Sequence, residues 1–312
     1  MKKLAVIALG GNALLRGNQV GTIKEQEVNA YQTCSSIVDF TKRGYNIVIT
    51  HGNGPQVGNI LLRNEAGYDT YKIPKMPLDI CVADSQGGIG YMLERQLKNI
   101  LREKKINKGV ISLITQVLVE ESDPAFRNPT KPVGKFFIKE EAELLSRVNN
   151  WVFMEDPRKR GYRRVVASPR PKDIINKEVI KDLAKKGNIV IAVGGGGVPI
   201  IEHEGLLYGT DAVIDKDLAS SLLATEMEAD EFIILTDVPK VCINFHLPNE
   251  KPIDKMSVRT AKKYIKEGHF AAGSMGPKID AVLKFIQNGG GSGTITEATE
   301  LNKPNSGTKI VP

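Results

Sequence analysis

Three lysines stand in contexts where an ammonium group could do chemistry. Lys131 lies in Asn128-Pro-Thr-Lys-Pro132, where the flanking prolines restrict the backbone. Lys216 lies in Val213-Ile-Asp-Lys-Asp217, at the predicted start of a helix. Acidic residues are expected at that end of a helix, and a lysine is not. Lys278 follows Pro277 in Gly273-Ser-Met-Gly-Pro-Lys278, again at a helix start. A lysine beside a helix N-terminus builds a strongly positive site suited to phosphate oxygens. Any one of the three is more often a solvated surface residue, but together they point to phosphate chemistry.

Glycine loops point the same way. Gly10-Gly11-Asn12 follows an apolar run directly, His51-Gly52-Asn53-Gly54-Pro55 ends a second, and Gly194–Gly197 ends a third. Without Cβ atoms, backbone N–H groups there can approach an anion closely. One such loop is equally a tight strand–helix turn. Three at strand ends favour a phosphate cradle. Neither G-x-x-x-x-G-K-[ST] nor G-x-G-x-x-G is present, nor is the H-R-D and D-F-G pair of protein kinases, so a P-loop, a Rossmann site and a protein-kinase site are all excluded. Phosphoryl transfer is catalysed mostly by alignment and charge stabilisation. An acceptor that is already an anionic oxygen needs no general base, which fits the lack of a His–carboxylate pair. Asp217 could orient the lysines, and Asp211 could face a nucleotide or its Mg²⁺. Either acid could instead be a helix N-cap.

The elements that must position these residues alternate between strand and helix. Predicted strands cover Leu4–Leu9, Asn46–Thr50, Val110–Val119, Asn188–Val193, Glu231–Leu235, Thr294–Thr296 and Lys309–Val311. Predicted helices cover Glu25–Arg43, about Gly90–Lys105, Lys172–Lys186, Asp215–Glu228, Ser257–Glu267 and Pro277–Gln287. Continuous Val- and Ile-rich runs are those of buried parallel strands. The expectation is therefore an α/β three-layer αβα sandwich around a mostly parallel central sheet. Ligands in such a sheet sit beyond the carboxyl ends of the strands, where the glycine loops fall. Between Asp123 and Pro171 prolines cluster and basic residues interleave with aromatics. That stretch reads as a small protruding lid subdomain.

Bulk properties bound the rest. A chain of 312 residues with 41% apolar content suits one large α/β unit or two lobes sharing a core. The net charge of +7 is spread along the chain, with only short clusters such as Arg158-Lys159-Arg160, so no nucleic-acid partner is expected. Part of it could instead draw in anionic substrates. Three separated cysteines (Cys34, Cys81, Cys242) and four scattered histidines match no metal spacing, so no dedicated protein metal site is expected. The Leu4–Leu9 run is too short for a secretory segment and no stretch approaches a membrane span, which implies a cytoplasmic protein with no membrane partner.

With these motifs in order, the chain resembles the carbamate kinases of the amino-acid-kinase superfamily. The resemblance rests on ALGGNALL (Ala8–Leu15), THGNGPQVG (Thr50–Gly58), MPLDICVADSQGGIGYML (Met76–Leu93), DPAFRNPTKPVG (Asp123–Gly134), GYRRVV (Gly161–Val166), GGGGVP (Gly194–Pro199), DAVIDKDLAS (Asp211–Ser220), ILTDV (Ile234–Val238) and HFAAGSMGPKIDA (His269–Ala281). It covers essentially the whole chain, and the segment with NPTKP looks like the family's protruding subdomain.

The resemblance implies interconversion of ATP and carbamate with ADP and carbamoyl phosphate, typically toward ATP in arginine catabolism through the arginine deiminase pathway. Gly10, Gly11, Asn12, Gly52, Asn53, Gly54 and Lys131 would hold carbamate and the transferred group, with Gly11 and Asn12 among the catalytic set. Lys216 and Lys278 would neutralise charge, organised by Asp217. Asp211, Lys216, Thr236, Asp237, Val238, Met275, Gly276 and Lys278 would line the nucleotide site. Residues 1–210 would form a lobe for carbamate, carrying the protruding subdomain at about 123–171, and residues 211–312 a nucleotide lobe. Mg²⁺ with ATP or ADP, and a homodimer, are implied as well. The alternatives are another small-carboxylate kinase of the superfamily and a non-catalytic nucleotide-binding regulatory homologue. The chain departs from the family pattern in Glu155–Gly161, which looks one residue longer, at Ala167 and Ala272, where proline is common, and at Cys242, where tyrosine is common near the adenine. The phosphate-handling residues are intact.

Overall fold

The computed structural model describes residues 2–16, 19–156, 159–271 and 273–312. Arg158 of the basic cluster and Ala272 lie outside the described residues, as does the side chain of Asn12. In chain order the first half comprises β1 (Leu4–Leu9), α1 (Ile23–Thr41), β2 (Asn46–His51), α2 (Gly54–Tyr71), α3 (Leu78–Glu103), β3 (Val110–Ser112), β4 (Gln116–Val119), β5 (Lys131–Phe137), α4 (Lys139–Asn149), β6 (Val152–Glu155) and β7 (Tyr162–Val166). There follow β8 (Pro171–Ile174), α5 (Lys177–Lys185), β9 (Ile189–Ile191), β10 (Val198–His203), β11 (Leu206–Gly209), α6 (Lys216–Glu226) and β12 (Glu231–Thr236). The chain closes with β13 (Cys242–Ile243), β14 (Lys251–Pro252), β15 (Lys255–Ser257), α7 (Val258–Lys266), α8 (Met275–Gln287), β16 (Ser292–Glu297) and β17 (Thr308–Val311).

The central sheet has the order β15-β17-β16-β12-β1-β2-β9-β3. Its neighbours run parallel except β17, which is antiparallel to β16. Side chains alternate across a strand, and here both faces are buried. Ala5, Ile7 and Leu9 of β1 enter a core with α1 and α3, as do Ile47 and Ile49 of β2 and Ile233 and Leu235 of β12. Leu4, Val6 and Ala8, with Val48, Phe232 and Ile234, enter the opposite core with α5, α6 and α8. Hence the strands read as unbroken apolar runs, and the three-layer αβα sandwich with a mostly parallel sheet holds. Because β12, β1, β2 and β9 are neighbours running the same way, the chain segments leaving all four emerge side by side.

A second sheet, β11-β10-β4-β8, adds Val117, Val119 and Ile174 to the core beside α5 and α6, and a third, β5-β7-β6, has α4 beside it. The second sheet corrects two expectations. Val110–Val119 is not one strand: β3 pairs with β9, the chain turns at Leu113–Thr115, and β4 pairs with β10 and β8. The predicted Lys172–Lys186 helix opens as strand, since β8 pairs antiparallel with β4 and α5 starts only after Asn176 (φ 63°). Helix α3 begins twelve residues before the expected Gly90. Gly87 and Gly88 lower local helix propensity, but burial of Cys81, Val82, Ser85 and Gln86 along one face overrides it. At α1 the start is fixed by a capping box, with Thr22 Oγ1 accepting from Glu25 N–H while the Glu25 carboxylate accepts from Thr22 N–H.

Candidate active site

The loops after β1, β2 and β9 meet at the carboxyl edge of the sheet. Gly10 N–H donates to Leu235 O at 2.8 Å, and a Cβ on Gly10 would stand 2.7 Å from that oxygen, so only glycine lets β1 leave beside β12. Gly195 (φ +66°) packs on the Asn53 amide, with a Cβ there about 2.2 Å from Nδ2. The Asn53 amide in turn donates to Ser85 Oγ at 2.8 Å. Behind the loops, His51 is 1% exposed, and its Nδ1 donates to Gly52 O at 3.0 Å. Burial pushes this imidazole down to about 4, the Gly52 carbonyl opposes that, and the nearby Lys216 ammonium adds to it. His51 is therefore neutral at pH 7, a fixed prop and not an acid. Val193 at the exit of β9 is held at φ 53°, costly for a β-branched residue, with its N–H donating to Thr115 Oγ1 at 3.0 Å.

Over this floor lies a cavity of about 310 Å³ lined by Gly11, Gly52, Asn53, Gly54, Lys131, Asp215, Lys216, Asp217 and Lys278, among others. Lys216 is the first residue of α6, and Lys278 stands in the first turn of α8. Their ammonium groups share one carboxylate: Lys216 Nζ lies 2.9 Å from Asp217 Oδ1, and Lys278 Nζ lies 3.0 Å from Asp217 Oδ2. Lys131 reaches in from β5 to Asp215 Oδ2 at 3.0 Å. Burial would push the Asp217 carboxyl up, but the two lysines hold it at about 2. Burial lowers the pKa of Lys216, partly offset by Asp217. The Lys216–Asp217 approach has the distance of an ion pair but not the alignment of a hydrogen bond, so both atoms are buried without a hydrogen-bond partner. A buried ammonium in that state is poised for an anionic oxygen. Removing Asp217 would strand the buried Lys216 ammonium, at a cost of about 3–5 kcal/mol, and take from the half-buried Lys278 its ion-pair partner.

A second cavity of about 450 Å³ adjoins the first and shares Ser274 and Lys278 with it. Its lining includes Thr236, Asp237 and Val238 from the end of β12, Cys242 of β13, Phe245 and His246 from the loop after it, His269 and Phe270, and Met275. The Phe245 and His246 rings lie against each other, with centroids 3.9 Å apart and planes tilted by 38°. Lys278 thus stands at the seam between a small charged pocket and a larger, more apolar one.

Most of the residues singled out in the sequence meet here. Gly11, Gly52, Asn53, Gly54, Lys131, Lys216, Asp217 and Lys278 line the smaller cavity, and Thr236, Asp237, Val238, Met275 and Lys278 the larger. Gly10 and Gly276 line neither. Gly10 supports the β1 exit, and Gly276 N–H closes the turn onto Ala271 O at 3.0 Å. Asp211 lines neither cavity. It is exposed and ion-paired with Arg164 of β7 at 3.0 Å, because the 211–213 segment runs beside the end of β7 (Ala167 with Ala212; Val213 N–H to Ala167 O, 3.0 Å). Asp215, Ser274, Phe245, His246 and His269 were not foreseen. For Asp215 the signal was there: an aspartate directly before a helix is an N-cap candidate, and its Oδ1 accepts from Asp217 N–H at 2.9 Å and more weakly from Leu218 N–H.

The sequence profile of the amino acid kinase family matches residues 3–297. The chain belongs to the amino acid kinase family. Within it the chain groups with the carbamate kinases: the enzyme of Pyrococcus furiosus is 48% identical across 100% of both chains, and that of Thermococcus kodakarensis is 49% identical across 99% of each. Among solved structures, carbamate kinase from Giardia lamblia bound to AMP-PNP superposes with a TM-score of 0.93 at 42% identity, covering 99% of this chain and 98% of the other.

Proposed function

We infer that this chain is a carbamate kinase, moving a phosphoryl group reversibly between ATP and carbamate. The observation that carries the reading is the Lys216–Asp217–Lys278 cluster at the seam of two cavities, one lined by charged groups suited to an anion and one lined by rings and apolar groups suited to a nucleotide. Its support is the full-length identity to carbamate kinases and the AMP-PNP carried by the Giardia lamblia enzyme.

The chemistry follows from the placement. A carbamate oxygen attacks the γ-phosphorus of ATP while the bond from that phosphorus to the β–γ bridging oxygen breaks, giving carbamoyl phosphate and ADP. The attacking oxygen is already anionic, so the site needs positive charge and alignment and no base. Lys216 and Lys278 face the migrating group from two helix N-termini, Asp217 fixes both, and Lys131 with the loops at Gly11 and Gly52–Gly54 holds the acceptor side. Residues 1–210 supply that side and residues 211–312 the nucleotide side. Asp215 and Asp217 are both engaged by lysines, and no cluster of three metal-ligating side chains occurs among the described residues. Mg²⁺ therefore fits as an ion carried on the nucleotide phosphates, with Asp237 the carboxylate of the nucleotide cavity able to hold it, and it would neutralise phosphate charge there.

In the cell the reading places the enzyme in the cytoplasm, making ATP from carbamoyl phosphate in arginine catabolism. No described helix is long and apolar enough to cross a membrane. A homodimer is supported by Ile80 (42% exposed) and Tyr91 (63% exposed), eleven residues apart and so on one face of α3. The direct test is ATP formation from ADP and carbamoyl phosphate, read by luciferase. ATP from carbamoyl phosphate and no turnover with glutamate-type acceptors is expected. The opposite pattern overturns the reading.

A further inference from the structure

Asp215 is the acidic group of the smaller cavity that the reaction above does not use. Its two oxygens do different things. Oδ1 caps α6, accepting from Asp217 N–H at 2.9 Å. Oδ2 holds Lys131 Nζ at 3.0 Å, and Lys131 has no other ion-pair partner among the described residues. Lys131 opens β5 of the separate three-stranded sheet, whereas Lys216 and Asp217 open α6. One carboxylate therefore joins the protruding sheet to the helix that carries the central charge cluster. The segment leading into α6 meets β7 and its exit twice more nearby, through Arg164 with Asp211 and through Val213 N–H to Ala167 O.

We propose that Asp215 is a positioning residue: it parks Lys131 over the acceptor pocket and ties that placement to the N-terminus of α6. The proposal rests on the carbamate kinase reading for its kinetic signature. A carboxylate in a pocket for an anionic substrate weakens ground-state binding through like-charge repulsion. A residue selected for affinity would therefore not be acidic here. The presence of one is explained if its work is geometric, presenting Lys131 in the orientation the transition state needs. The entering phosphoryl oxygen then takes Lys131 from Asp215 over a short distance, instead of recruiting a free side chain from solvent.

Asp215→Asn tests this cleanly, because asparagine caps a helix as well as aspartate does. The expected result is a kcat for ATP formation lowered by about tenfold or more, with the KM for carbamoyl phosphate unchanged or lower. In a Lys131→Ala background the same substitution should change kcat by less than about twofold, since coupled residues are non-additive. Asp215→Glu, which keeps the carboxylate, should recover part of the lost turnover. In the ligand-free full-length protein, hydrogen exchange of the β5 amides should be faster in Asp215→Asn than in the parent. Parent-like kcat, a raised KM with unaltered kcat, or the full effect in the Lys131→Ala background each overturns the proposal. If the parent makes no ATP from carbamoyl phosphate, the reaction assignment falls. The exchange measurement then decides on its own, and unchanged β5 exchange refutes the coupling.

Discussion

The two adjoining cavities are built on different principles. The smaller carries groups whose identity the chemistry dictates, three lysines, two aspartates and glycines, with each lysine ion-paired to an aspartate. The larger is made of surfaces: Val238, Phe245, His246, Phe270 and Met275 supply area and ring faces, and the Phe245 ring is 47% exposed. A migrating phosphoryl group tolerates few alternatives, because its charge must be met at fixed points. A flat base tolerates many, because any ring or thioether of suitable size gives comparable contact. The two ends should therefore respond differently to substitution.

The largest effect is expected at the charged end. Lys216→Ala or Lys278→Ala should lower kcat by about 10²–10³, the usual loss for one preorganised donor. Nucleotide affinity, measured by calorimetry with ADP, should change only a few-fold. Comparable losses in kcat and in ADP affinity would mean that the two cavities are not functionally distinct.

Acid should separate the same two regions. The unfolded chain presents a histidine of ordinary pKa near 6.5, while His51 is held at about 4 in the fold. A depressed folded-state pKa means that the unfolded chain takes up the proton first. Stability is then complete above about pH 6.5 and falls as the pH drops through the interval toward 4. The loss by pH 4 is about 3 kcal/mol, from roughly 1.4 kcal/mol per unit. Chemical denaturation at a series of pH values reads this slope, and His51→Gln should flatten it. An unchanged slope in the variant would show that the prop behind the glycine loops is not the acid-sensitive element.

This contrast also explains what was legible in the sequence. Lys131, Lys216, Lys278, Asp217 and the three glycine loops could be read because each sits in a context that ordinary folding does not call for. The parallel sheet could be read because its strands are apolar on both faces. Less visible was Asp215, whose helix-capping role hides its contact to Lys131 84 positions away. Phe245, His246 and His269 were hidden for another reason: they gather at one cavity from separate loops, and His246 takes a left-handed backbone (φ 63°) that no local pattern announces. The second sheet was missed because β4 and β8 are short and β4 pairs with both β8 and β10 across long separations, and the ion pair of Asp211 was hidden because its Arg164 partner lies on a strand 47 residues earlier.

At the base end, Phe245→Ala should weaken ADP by about tenfold, since stacking a base on an aromatic ring contributes roughly 1–3 kcal/mol, while kcat at saturating ADP stays near the parent value. A kcat loss as large as that of Lys216→Ala would erase the distinction between the cavities.

The smallest effect is expected at Cys242, although it is the most conspicuous departure from the carbamate kinase pattern. Its thiol is pushed up by burial and by the Glu250 carboxylate, so it is uncharged at neutral pH. It lines the larger cavity from the short strand β13, which pairs with β14 through Cys242 and Pro252, so that backbone pairing and not the side chain fixes its position. A ring at this position would add one more apolar face to a cavity that already has Phe245, His246 and Phe270. Cys242→Ser and Cys242→Tyr should therefore each shift ADP affinity by less than about threefold, within the several tenths of a kcal/mol that separate tolerated contact surfaces, and should leave kcat unaltered. A kcat loss in either variant, or an affinity change as large as that expected for Phe245→Ala, would show that the thiol itself is required at this position, and the division of labour between the cavities would have to be redrawn around it.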